Sequence, residues 1–153
     1  MPEKGGKEVF YMPRGGISFE GIGFHATTYK AGAGIKALVA AGGVDTRTGL
    51  PIGKDLVKDL PVVISAAGTV DLGADGDTAF GFIDSYEFDG YCSVQDGGYR
   101  TGVPTTATAP TVGKIVALDG AGKVKDSATT AKLRNPVFVE VDSTAKTATV
   151  FLG

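Results

Sequence analysis

The sequence predicts a mostly β protein, a small antiparallel β-barrel or sandwich with an extended, irregular N-terminal arm, and three observations lead there. Glycine supplies 24 of the 153 residues, with 7 prolines beside it. That is roughly twice glycine's usual ~7% share, and such punctuation favours turns and bulges over long helices. From Pro61 onward, short runs of β-branched and aromatic residues recur between Gly- and Asp-containing breaks, the spacing of antiparallel strands joined by tight turns. The composition, 42% apolar and 21% charged, is that of an ordinary globular chain with material for one hydrophobic core and not for two large ones.

Residues 1–53 read as the arm and an irregular segment, residues 54–153 as the β-rich body. Between residues 10 and 29 aromatics and glycines alternate without a sustained helical or strand period. Val9, Phe10, Tyr11 and Met12 form one apolar cluster there; Ile17, Phe19, Ile22 and Phe24 form another, broken by Gly15, Gly16, Gly21 and Gly23. Apolar groups on such a segment need a covering surface, whether the body of the domain, a sister subunit or a partner. A short apolar stretch at residues 35–41 leads into the turn-rich residues 42–53, and the boundary between arm and body is placed at residues 49–53. Residues 54–60 fit one helical turn or a strand, and Pro61 stops a helix from passing through it.

Strand signals then become regular. Val62, Val63 and Ile64 are β-branched neighbours, residues 69–72 alternate, and residues 78–88 carry Phe80, Phe82, Tyr86 and Phe88 on one parity, interrupted by Asp84. The interruption predicts a bulge or a strand end. Residues 91–95 and 99–103, separated by Asp96, Gly97 and Gly98, read as a hairpin, and residues 101–110, rich in Thr, Ala and Pro, as a surface loop. Residues 114–118 and 123–125 form a second hairpin around Asp119, Gly120, Ala121 and Gly122 by the same turn chemistry. At the C-terminus a loop of Ser143, Thr144, Ala145 and Lys146 pairs Asp142 with Thr147. That register sets Val137, Val139 and Val141 against Leu152, Val150 and Ala148 on one face, with Phe138 meeting Phe151 and Glu140 meeting Thr149 on the other.

The chemistry-bearing residues are few. A formal net charge of −2 with interspersed signs gives no field suited to phosphates, so no direct nucleic-acid partner is expected. No apolar run approaches the ~20 residues of a membrane span, and residues 1–16 carry Glu3, Lys4, Lys7 and Glu8 with no apolar core of a secretory signal. Cys92 is the lone cysteine, which rules out an intrachain disulfide and fits assembly in a reducing cytosol. With His25 as the one histidine, a Cys–His dyad needs a tertiary meeting of arm and strand, and a zinc site lacks ligands. Asp71, Asp75 and Asp77 around Gly73 and Gly76 resemble the start of a calcium loop, but the twelfth position is Phe82 where a carboxylate is needed, so an acidic turn is the expectation. Lys30-Ala31-Gly32-Ala33-Gly34-Ile35-Lys36 has the glycines of a phosphate loop without its spacing or its terminal Gly-Lys-Ser/Thr. Glu87, Asp89 and Asp96 are near in sequence, and solvated turn charges are the common identity of such residues. Neither a catalytic constellation, a metal nor a cofactor is expected.

Several stretches of the body carry a likeness to a known class of protein. They are Lys54-Asp55-Leu56-Val57-Lys58, Gly76-Asp77-Thr78-Ala79-Phe80-Gly81 and Ser93-Val94-Gln95-Asp96-Gly97-Gly98-Tyr99. To these are added Thr111-Val112-Gly113-Lys114-Ile115-Val116 running into Asp119-Gly120-Ala121-Gly122-Lys123-Val124, and Val141-Asp142-Ser143-Thr144-Ala145-Lys146-Thr147. With these motifs the body resembles the capsid decoration (cement, head-stabilising) proteins of the small β-barrel type found in tailed phages. The likeness covers about two thirds of the chain, and the residues before Gly49 have no counterpart in it. The resemblance implies a structural, non-enzymatic protein, made in the host cytoplasm and located on the outer capsid surface of the virion. It also implies the major capsid protein as partner, a homo-oligomer with a trimer favoured, and bridging of neighbouring capsid subunits. Phe10, Tyr11, Met12, Phe19, Phe24 and Tyr29 are then the candidate partner or protomer contacts, because aromatics dominate buried interface energy. A tail or baseplate structural component shares the β-rich, glycine-rich composition, and a carbohydrate-binding β module or small β-barrel enzyme requires a polar cleft.

Overall fold

The computed structural model describes residues 24–49, 52–87, 89–130 and 135–153. It is mostly β, and five strands close into a small barrel. They are β1 (His25–Ala31), β2 (Pro61–Ala66), β3 (Thr69–Asp71), β4 (Gly81–Tyr86) and β5 (Tyr91–Gly97), in the order β1-β3-β2-β4-β5. β1 runs antiparallel to β5 from His25↔Gly97 to Lys30↔Tyr91 and meets β3 in parallel at Lys30↔Thr69 and Ala31↔Val70.

The nine-residue helix α1 (Ala33–Ala41) follows β1 and buries Ile35 and Val39 in the barrel core beside Val62, Val70 and Val94. Its own N-cap is Gly32, which offers no side chain. Asp71 at the end of β3 takes that role: its carboxylate accepts the N–H of Gly34 at 3.2 Å and of Ile35 at 3.0 Å, groups that the helix cannot satisfy itself. A short 3-10 turn, Gly53–Leu56, then packs against the end of α1 and leads to Val57 in the core. Pro61 opens β2, as its fixed φ and missing N–H allow at a strand start.

The division at residue 53 therefore runs through the barrel. Residues 25–41, assigned to the arm from sequence, supply a barrel strand and the helix that packs in its core. The reason is chemical. Of β1's seven residues, HATTYKA, Ala31 alone is fully buried, so order comes from pairing on both edges and not from an apolar alternation that a sequence would display. Phe10, Tyr11, Met12 and Phe19 lie outside the described residues, as does the rest of the segment before Phe24.

The second half packs on the barrel's flank. β6 (Tyr99–Pro104), β9 (Val137–Asp142) and β10 (Thr147–Phe151) form a sheet in the order β6-β10-β9, and β7 (Val116–Leu118) pairs with β8 (Val124–Asp126). The β7–β8 hairpin is the one expected, with Leu118↔Val124 closing it. Asp119 makes the turn by accepting the N–H groups of Ala121 and Lys123 on one carboxylate oxygen, at 2.7 and 2.9 Å. The bulge expected at Asp84 is also present, as a register shift between Ile83 and Ser85 against β5.

Two expected pairings differ. β5 and β6 do not form a hairpin: β5 stays in the barrel between β1 and β4, while β6 pairs with β10. The chain turns at Gly98, φ 83°, whose carbonyl accepts the Leu152 N–H at 2.8 Å. The buried Gln95 fixes this corner, its amide donating to the carbonyls of Gly97 at 3.1 Å and Tyr99 at 2.9 Å, so that carbonyls turned away from any ladder keep partners. In the C-terminal hairpin the predicted register holds from Thr147↔Asp142 to Thr149↔Glu140, and then slips, so that Val150 faces Phe138 and Phe151 faces Val137. The bulge brings Phe138 into the same core as Ala148 and Val150, leaving Val137, Val139 and Val141 half-buried. Burying a phenylalanine removes more apolar area than burying a valine, which decides the face. The segment expected as a loop after Thr101 is strand to Pro104, and Thr105 then bridges to Val124.

β4 joins the two halves. Ile83 points into the barrel core, and its neighbour Phe82 points out of the barrel into the second core with Phe138, Val116 and Val150. A strand buried on both faces ties the two clusters into one cooperative body.

Candidate interaction surface

The sequence offered several candidate reactive groups, and the fold spends each of them elsewhere. Asp71 caps α1 and also accepts the Leu72 N–H at 2.8 Å. Asp77 accepts the Ala74 N–H at 2.9 Å within its own turn, and Asp75 pairs with Lys125 of β8. The three carboxylates thus serve a helix, a turn and an ion pair, and among the described residues no group of three or more His, Cys, Asp or Glu converges as metal ligands would. The glycines of the 30–36 stretch have the same explanation. A Cβ on Gly32 would sit 2.3 Å from the Asp71 carboxylate, so glycine lets that carboxylate reach the helix N-terminus, the place a phosphate would occupy.

His25 and Cys92 stand toward opposite ends of one ladder, since His25 pairs with Gly97 and Cys92 with Tyr29. The five residues from Cys92 to Gly97 span about 17 Å at ~3.3 Å per residue. Cys92 is fully buried, and burial pushes its thiol up to about 11, so it packs as a small hydrophobe and not as a thiolate. Glu87 and Asp89 flank the start of β5 and Asp96 lies near its end, so the three acids do not face a common point.

Asp96 instead centres a polar cluster at the mouth of the barrel. His25 Nδ1 sits 2.6 Å from one carboxylate oxygen, and the Tyr29 hydroxyl donates to the other at 3.3 Å. Burial works to raise Asp96, but hydrogen bonds from His25, Thr27 and Tyr29 outweigh it and hold the carboxyl below its ordinary value. Burial and the neighbouring Asp96 in turn raise the Tyr29 hydroxyl. The Tyr29 ring stands edge-on to Phe80 at 5.6 Å between centroids, so this candidate contact is a packed part of the barrel wall. A second polar cluster lies nearby, where Arg100 donates to Gln95 at 2.9 Å, pairs with Asp59 and sits 5.5 Å from the Phe82 ring centroid. The Asp96 cluster joins β1 to β5 within the barrel, and the Arg100 cluster ties β6 of the flanking sheet to β5.

What remains unspent is apolar. Of the two candidate aromatics among the described residues, Phe24 stands free of the wall and is 60% exposed. Around the other side, a groove of about 280 Å³ lies between the end of α1, the 3-10 turn, the chain after β3 and the β7–β8 turn. Leu38, Leu56, Leu60, Leu72 and Leu118 line it, and glycines 73, 120 and 122 keep it open. Leu56 and Leu72 are exposed on its rim, with Ile52 exposed beside Leu56 on the 3-10 turn. Comparison with known proteins finds no matching family model, no matching curated protein and no matching solved structure. The groove's leucines were not among the candidate contacts read from sequence. The signal was weak: they come from four separate segments, and Leu56 and Leu60, four residues apart, are its one local trace.

Proposed function

We propose that this chain is a structural capsid decoration protein that binds the outer surface of an assembled tailed-phage head and bridges neighbouring capsid subunits to stabilise the shell. The observation that carries the reading is the leucine-lined groove with Ile52, Leu56 and Leu72 exposed beside it. Contiguous exposed apolar surface on a compact domain marks a place where another surface sits. The polar clusters point the same way, because their groups are committed to holding the fold and not to a substrate. The resemblance of the body names the partner, the major capsid protein, and a trimer as the form that multiplies contacts; avidity then replaces any single strong site. Neither nucleic acid nor membrane enters the reading, and no helix among the described residues is long and apolar enough to cross a bilayer.

The test is cosedimentation with preformed, expanded shells. The intact chain adds to shells, whereas Leu56→Asp with Leu72→Asp, and separately a deletion of residues 2–23, each weaken binding by about tenfold or more, ~1.4 kcal/mol. Circular dichroism on both variants confirms that the barrel is intact. The deletion stops at residue 23 because His25–Ala31 is a barrel strand, and a cut extending to residue 34 would remove it. Undiminished binding by both variants overturns the reading, and rings or tubes formed by the free protein would favour a tail or baseplate component.

A further inference from the structure

A groove of about 570 Å³ runs along the seam between the barrel and its flanking sheet, and it shares no lining residue with the leucine groove. β2 contributes Val63 and Ile64, the chain before β4 contributes Phe80, and β5 contributes Asp96; Pro136 enters ahead of β9 and Leu152 beyond β10. Exposure orders these residues. Ile64 is 46% exposed and stands at the rim, whereas Leu152 is buried and the Asp96 side chain, 14% exposed, lies at the floor. Phe80 is held in the wall by the Tyr29 ring, edge-on to it. Among the described residues that line the groove, Asp96 is the one charged side chain.

The neighbours of Asp96 orient its carboxylate and leave it capacity for one more partner. His25 Nδ1 approaches one oxygen, the Tyr29 hydroxyl donates to the other, and Thr27 adds a further bond. Burial works against the charge, but these bonds outweigh it and keep the group ionised at pH 7. An ionised carboxylate has about four acceptor sites, so three donors do not fill it. The two hydroxyls bring no charge, and neither does the imidazole in its neutral form, which leaves one negative charge at the floor of an apolar groove. Such walls lower the local dielectric, so an opposite charge placed there is held more strongly than in water.

The complement of this groove is one positive charge on an apolar stem. Lysine has that form, an ammonium carried on four methylenes. Arginine suits it less, because its fork engages two carboxylate oxygens side by side and each oxygen of Asp96 already holds a donor. A free diamine also suits it less, because its second charge would meet apolar wall. We propose that this groove is a binding site for a lysine side chain of a partner protein, with the stem against Ile64 and Phe80 and the ammonium on the Asp96 carboxylate. The site belongs to the free protein and stands or falls apart from shell binding at the leucine groove.

Nuclear magnetic resonance titration of the full, isotopically labelled chain at pH 7 tests it, with the Nα-acetyl N-methylamides of lysine, arginine and norleucine as probes. The lysine probe should shift the Ile64, Phe80 and Asp96 amides saturably with a Kd of about 1 mM, the ordinary efficiency of a ligand of that size. Norleucine, which keeps the apolar stem without the charge, should bind about tenfold more weakly or worse, and so should arginine and 1,5-diaminopentane. Asp96→Asn and, separately, Ile64→Lys, which sets a resident ammonium at the rim, should each weaken the lysine probe about tenfold or more. Ile64 is exposed, so its variant keeps the fold even where Asp96→Asn loses it, and β9 amides unchanged from the parent check this. Four outcomes overturn the proposal: no saturable shift with the lysine probe, shifts confined to residues elsewhere, norleucine, arginine or the diamine binding as well as lysine, or undiminished lysine binding in Ile64→Lys.

Discussion

Replacing Asp71 with alanine removes the acceptor for the Gly34 and Ile35 N–H groups at the start of α1 and for Leu72. Loss of a helix cap costs ~0.5–2 kcal/mol, and with a strand-end N–H also orphaned the expected value is about 2 kcal/mol in urea unfolding. Calcium added to the intact chain leaves the unfolding midpoint where it was, because Asp71, Asp75 and Asp77 have separate partners. Nothing in the local spacing Asp71-Asp75-Asp77 reveals this, since the helix that Asp71 caps starts far upstream in sequence. Asp96 gives the second residue-level expectation. Its folded pKa is depressed, so its contribution is present above the unfolded value of about 3.9 and is lost as pH falls through the folded value. Asp96→Asn is therefore less stable than the parent at pH 7, and the gap narrows as pH falls below about 4. Paired denaturation curves at pH 7 and pH 3 measure it, and an equal gap at both would show that the charge is not what the cluster uses.

At the scale of elements, the tightest contact is between α1 and the 3-10 turn. A Cβ on Gly53 would fall 2.1 Å from the Val39 carbonyl oxygen, and both atoms' backbones are held, one by the helix and one by the Ile52 N–H bond to Gly43. Gly53→Ala should cost about 1–3 kcal/mol, the range for forcing extra volume into packed structure. The same loss should appear as faster amide exchange in α1 before any change in β9 and β10. Elements set by local chemistry were legible from the residues: the Asp119 turn of β7–β8, the bulge at Asp84 and the loop after Asp142, where the carboxylate accepts the Thr144 and Ala145 N–H groups. Elements set by distant partners were not. β1 becomes a strand because β5 and β3 flank it, and the slip at Thr149 happens because Phe138 has a core to enter. The site followed the same rule, with Phe24 and Tyr29 visible as aromatics while the leucine groove exists only once four segments meet.

For the whole molecule, the two cores meeting across β4 make a rigid block with an apolar groove near one turn cluster and the chain's N-terminal exit at Phe24 on another groove. A block of this kind stabilises a lattice by linkage if it binds assembled subunits and not free ones, adding RT ln(1 + [L]/Kd) per independent site. The disruption temperature of expanded shells should accordingly rise with the logarithm of free protein above saturation, and a hundredfold excess over Kd is worth about 2.7 kcal/mol per site. Differential scanning calorimetry of shells across a concentration series reads this slope. Leu56→Asp with Leu72→Asp should shift the onset of the rise to higher concentration and leave the slope unchanged, because a weaker Kd moves the origin of the logarithm and not its coefficient. A midpoint that does not move with concentration would mean that the chain binds assembled and unassembled subunits alike, and the shell would then gain nothing from it.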